Sequence, residues 1–145
     1  MRVAAAFLVL AWLAALSGYD IRERRLPNAL TLTGAAMILA AATLAGRGPS
    51  ALAGTGALTA IYLAVHCASP GAMGAGDVKL ALGLGALTGC FGAGAWFLAA
   101  LGAPLLTAAL GMVARVPGGA DRTGSVPHGP SMCLASAAGV GLALL

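Results

Sequence analysis

Long apolar runs alternate with short polar stretches from one end of the chain to the other. Residues 3–19 are apolar and predict a first membrane-crossing helix. The stretch from Asp20 to Asn28 predicts a first polar loop. Within it Pro27 disfavours helix at Leu26 and lets a new helix begin near Asn28. Residues 29–45 predict a second span, and the helix breakers of residues 46–50 a tight turn. Residues 51–68 predict a third span, and a loop over residues 69–76 leads into Asp77. The apolar stretch 78–114 is too long for one crossing, which takes about 20 residues. Glycines at 89, 92 and 94 divide it into spans near 78–90 and 95–114. Arg115 to Pro130 predicts a polar loop containing Asp121, Arg122 and His128. Residues 131–145 predict a short sixth span that starts slightly earlier. A signal peptide is the competing reading of residues 3–19. Arg2 alone makes a thin n-region, however, and Arg22, Arg24 and Arg25 follow the run, which favours a retained helix.

Composition turns these helices into a class. Of 145 residues 60% are hydrophobic and 8% charged, against roughly 25% charged in a soluble domain. The expected fold is all-α, a polytopic membrane helical bundle of about six transmembrane helices forming one membrane-embedded domain over residues 1–145. The net charge of +4 lies in loops, without a basic face interleaved with aromatics, so the expected partner is the lipid bilayer and not nucleic acid. Cys67, Cys90 and Cys133 form no C-x-x-C pair, so they predict neither a zinc site nor a disulfide framework and read as small buried apolar residues. Abundant alanine and glycine allow close helix approach, and Gly85-x-x-x-Gly89 fits that pattern.

Six spans leave Arg22, Arg24, Arg25, Lys79, Arg115 and Arg122 on one side and Arg2 and Arg47 on the other. This asymmetry predicts that the first side is cytoplasmic. Two crossings separate Asp20 from Asp77, so both acids are expected at that same face.

The chain has four acids. Glu23 and Asp121 sit among arginines and read as solvated loop charges. Asp20 and Asp77 sit at the ends of spans, where an acid needs a reason: a carboxylate near the bilayer centre costs about 2.5–3.5 kcal/mol to insert. The plain alternative is a helix-end residue for Asp20 and an N-cap for Asp77. Gly74 and Gly76 lack Cβ atoms and predict a loop that can strain and let another chain approach. Two carboxylates in reach of each other share a proton. One can then act as base on a water while the other polarises a peptide carbonyl and serves the leaving amine. From helix polarity, Asp77 at a helix N-terminus favours the anion and Asp20 at a C-terminus favours the proton. His66 and His128 give no metalloprotease signature, since H-E-x-x-H is absent, and no G-x-S-x-G element is present.

These residues together resemble the type IV prepilin peptidases, membrane aspartyl proteases. The resemblance rests on G-x-G-D at Gly74-Ala75-Gly76-Asp77 and on Lys79 two residues later. It rests also on Asp20 ahead of a basic loop ending in Pro27-Asn28, and on Val126-Pro127-His128-Gly129-Pro130, similar to the Pro-x-Gly-Pro before the family's last helix. It implies that Asp20 and Asp77 are the catalytic pair, that Gly74 and Gly76 shape the loop, and that Lys79 neutralises local charge or anchors topology. It implies further that the enzyme removes basic leaders from prepilin or pseudopilin precursors at the cytoplasmic face of the plasma membrane, with no metal or other cofactor. Bifunctional members carry a cysteine tetrad and methylate the new N-terminus. This sequence lacks that tetrad, so N-methylation is not expected. His128 stands where an aromatic or apolar residue is commoner. The alternatives are a small proton-coupled transporter or a non-catalytic subunit of a pilus or secretion system.

Overall fold

A computed structural model of the chain describes residues 2–71, 73–114 and 127–145. These residues are all-α. Six helices follow in order: α1 (Arg2–Glu23), α2 (Asn28–Leu44), α3 (Gly48–Ala68), α4 (Ala75–Gly89), α5 (Ala93–Ala114) and α6 (Gly129–Leu144). Of these, α1, α3 and α5 are long and apolar enough to cross a membrane, while α2 and α6 are shorter apolar helices. Arg115, Asp121, Arg122 and Val126 of the expected last loop fall outside the described residues.

Three helix ends differ from the expectation. Helix α1 continues through Asp20 to Glu23, so the acid lies on the last helical turn and not in a loop. Nothing between Asp20 and Glu23 breaks a helix. The chain turns only at Arg24, which adopts a left-handed φ of 48° while its N–H donates to Asp20 O at 3.0 Å. Pro27, with extended backbone, then precedes α2. Helix α4 starts at Ala75, so Asp77 stands at its third position and Gly74 is the N-cap. Helix α3 starts at Gly48, with Pro49 in its first turn, where a missing N–H costs nothing. The α4–α5 turn falls at the expected glycines, with Gly92 at a φ of 100°.

Helix α4 is the axis of the bundle. Ten of its residues are buried, and none of its large apolar side chains is exposed, whereas each of the other five helices exposes several. Leu80 and Leu84 of α4 pack with Leu13 and Leu16 of α1, Leu58 and Tyr62 of α3, and Met132 and Cys133 of α6. A helix sheathed by protein need not be apolar outside or match bilayer thickness. At fifteen residues α4 is roughly 22 Å long, short of the ~30 Å hydrocarbon core. Its tightest neighbour is α3. A Cβ added at Gly85 would lie 2.6 Å from Gly54 O, and one at Gly89 would lie 2.7 Å from Ser50 O. The Gly85-x-x-x-Gly89 pair therefore makes a backbone-to-backbone helix contact inside this chain. Trp96 of α5 seals its edge by donating from Nε1 to Gly54 O at 3.0 Å. The cysteines depart from the expectation of burial: only Cys133 is buried, and Cys67 at the end of α3 is exposed.

Candidate active site

The end of α1 and the starts of α2, α4 and α6 meet at one end of the bundle. Leu26, just before α2, lies against Gly76 of α4. Lys79 Nζ donates to Asn28 Oδ1 at 2.9 Å, tying the Pro27-Asn28 corner to the first turns of α4. Lys79 thus has a neutral amide partner, a bond the sequence reading did not include. Gly74 has an ordinary φ of −73° and Gly76 lies within α4. Among the described residues the left-handed glycines are Gly46 and Gly92, so Gly74 and Gly76 do not use that conformational freedom here.

Asp77 is buried. Its Oδ2 accepts the Gly74 N–H at 3.2 Å, and its own N–H donates to Gly74 O at 3.1 Å. This is half of a capping box, with glycine supplying only backbone. The carboxylate therefore folds back over the open N-terminus of α4, where free N–H groups favour an anion.

Asp20 is half-buried. Its Oδ2 accepts the N–H of Gly129 at 3.0 Å, across 109 residues of sequence. Gly129 is the first residue of α6, and Pro130 in that turn has no N–H to offer. A Cβ on Gly129 would lie 2.6 Å from Asp20 Oδ2, so the carboxylate takes the space a side chain would fill. This changes the electrostatic expectation. The sequence reading placed Asp20 only at the C-terminus of its own helix, whereas the fold lays the N-terminus of α6 on it. Both acids now face helix N-termini, and the dipole asymmetry that assigned the proton to Asp20 disappears.

The two acids lie within electrostatic range of each other. Beside them stand side chains that the sequence did not join to the site. Tyr62 of α3 is in range of Asp77, and its Oη is 3.2 Å from Nε2 of His128. His128 Nδ1 is 2.6 Å from Thr107 Oγ1 of α5. Burial holds the His128 imidazole below its ordinary range, with Asp20 opposing the shift. At the end of α3, His66 Nδ1 is 2.8 Å from Met73 O, the residue before Gly74. The available signal was that Tyr62 and His66 are four residues apart on one face of α3, at the end leading to Asp77. His128 carried no comparable sign, because its partners come from other helices.

Among the described residues no group of three His, Cys, Asp or Glu side chains could hold a metal ion. What the site does hold is two carboxylates, each with one oxygen fixed by a peptide N–H and the other oxygen free of that bond. Such a pair can exchange protons with a water and a peptide group.

Residues 7–115 match the sequence model of the Type IV leader peptidase family, a stretch that includes Asp20, Asp77 and Lys79 and ends before His128. No curated protein and no solved structure gives a significant match. Among the readings the sequence left open, the family decides for the peptidase. The chain belongs to the Type IV leader peptidase family and is an aspartic-type endopeptidase acting on prepilin-like leaders.

Proposed function

We propose that Asp20 and Asp77 are the catalytic pair of this peptidase. The observation that carries the assignment is their meeting at one end of the bundle, within electrostatic range, each held by the N–H of a glycine at a helix start. One carboxylate takes a proton from water as the water attacks the scissile carbonyl. The other, protonated, donates to the carbonyl oxygen; as the C–N bond breaks, the proton taken from water passes to the leaving amine and a hydroxyl proton of the tetrahedral intermediate returns to the acid. Gly74, Gly76, Pro27, Asn28 and Lys79 hold the α2 and α4 starts that carry this geometry.

The reading extends to six membrane crossings in one domain, with α4 as an internal span recessed within its neighbours. The active-site end faces the cytoplasm, because Arg22, Arg24 and Arg25 are exposed there. The substrates are pilin or pseudopilin precursors whose basic leader stays at the cytoplasmic interface while the following apolar helix lies in the bilayer. The test is co-expression with a reporter of that design, a short basic leader joined to an apolar helix. Wild type is expected to produce the leader-cleavage mobility shift, and Asp20→Asn and Asp77→Asn, at equal membrane levels, to abolish it. Cleavage that persists in either variant removes that residue from the pair.

A further inference from the structure

The chain has two histidines, and the fold places each one residue before a glycine-held aspartate contact or against it. His66 holds Met73, and the next N–H, that of Gly74, binds Asp77. His128 is followed directly by Gly129, whose N–H binds Asp20. We propose that His66 and His128 are positioning residues for the peptidase reaction, each fixing the peptide N–H that holds one of the two aspartates. The inference rests on the reading of Asp20 and Asp77 as the catalytic pair.

The hydrogen-bond directions follow from the Met73 carbonyl at His66 and from placing the Thr107 hydrogen at His128. A carbonyl only accepts, so His66 Nδ1 carries its proton and donates to Met73 O. Thr107 Oγ1 has one hydrogen and donates it to Ala103 O at 3.0 Å. With its hydrogen on Ala103 O it accepts from His128, which assigns the proton of that ring to Nδ1. In the neutral ring Nε2 is then bare, and it accepts from the Tyr62 hydroxyl. The result is a one-way chain from Tyr62 through His128 and Thr107 to the Ala103 carbonyl. It pins the start of α6 to α3 and α5 while the adjoining Gly129 N–H reaches α1. The ring thus adds a hydrogen-bonded tie at the residue next to Gly129, beside the packing of α6 on α1, α4 and α5.

Protonation of His128 reverses the Tyr62 link of the chain. Nε2 would gain a hydrogen, the Tyr62 hydroxyl would have to turn its own hydrogen elsewhere and accept, and a positive charge would appear beside Asp20. Among the described residues the titratable groups facing the ring are Tyr62 from α3 and Asp20 from α1, with Thr107 from α5 not titrating, and Asp77 of α4 acts on Tyr62. The one-way chain, with no added charge beside Asp20, therefore belongs to neutral His128.

Amide side chains reproduce these bonds without titrating. A Gln at 128 can accept from Tyr62 and donate to Thr107, and an Asn at 66 can donate to Met73 O. With the full-length enzyme in membranes and the leader-helix reporter, H128Q and H66N are expected to keep cleavage within about threefold of wild type. H128L and H66L are expected to lower kcat by about tenfold or more with KM little changed, as misplacement of a catalytic group requires. The acid limb of the cleavage profile should move to lower pH in H128Q than in wild type. Leucine variants that cleave like wild type, or superimposable profiles for wild type and H128Q, would overturn the proposal. Histidine 15N spectra of the detergent-solubilised enzyme give a readout apart from activity. Both rings should carry the proton on Nδ1, and a proton on Nε2 of His128 at neutral pH would sink the inference even if H128L fails to accumulate. Cleavage that survives in D20N and D77N would instead indict the catalytic pair itself, whatever the spectra show.

Discussion

A glycine in front of a carboxylate is the smallest unit on which this site depends. Gly129 has no room for a side chain, because Asp20 Oδ2 occupies that volume. G129A should therefore displace the acid and reduce leader cleavage by about 100-fold, in line with the cost of misplacing a reacting group by roughly 1 Å. Cleavage assayed at matched membrane levels checks this, and a near-normal rate would show that α6 can yield. The residue scale also sets a pH dependence. His128 titrates below its ordinary value of 6.5 in the folded protein. The unfolded chain therefore binds a proton first as pH falls, and the folded state loses stability progressively below about pH 6.5 until the folded ring is itself protonated. Thermal unfolding in detergent should show this decline in wild type, and a smaller one in H128Q.

Between elements, the contact that sets the site is α3 against α4. Both Tyr62 and Asp77 depend on it, and it is a backbone contact at Gly54, Gly85 and Gly89. Overpacking a tight interface costs about 1–3 kcal/mol. G85V should accordingly lower the unfolding midpoint in detergent. Gly94, where an added Cβ meets nothing within 4 Å, provides the control. G94A is expected to leave the midpoint unchanged, and an equal loss in both variants would mean that the α3–α4 approach has no special role. Trp12 adds a second tie by donating from Nε1 to Leu30 O at 2.9 Å, joining α1 to the start of α2 on the site's side of the bundle.

For the molecule as a whole, the two ends differ in chemistry. The end with the acids carries Lys79, the α1–α2 arginines and the exposed Cys67. The other carries Arg47, whose Nη1 donates to Cys90 O at 3.1 Å. The proposed six-span topology sends Cys67 and Cys90 to opposite membrane faces. A membrane-impermeant maleimide should label Cys67 in inside-out vesicles and not in right-side-out ones, read against a C67S control. Labelling from the opposite side would reverse the orientation, and with it the cytoplasmic placement of the site.

Much of this was legible in the sequence, for physical reasons that act locally. Apolar runs broken by Pro27, Pro49 and the glycines near 92 set six helices, because helix breaking and burial in lipid are properties of short stretches. Two isolated acids in so apolar a chain marked themselves, since each needs a compensating environment. What sequence could not give was who compensates whom. The Gly129 N–H on Asp20, the His128 chain from Tyr62 to Thr107 and the Lys79–Asn28 bond join residues 21 to 109 positions apart. Such pairings follow from how the helices pack around α4, and no local pattern encodes that geometry. The same packing removed the dipole argument for Asp20 by bringing the N-terminus of α6 to it. The sequence by itself determined which groups had to find partners, and the tertiary structure decided which partners they found.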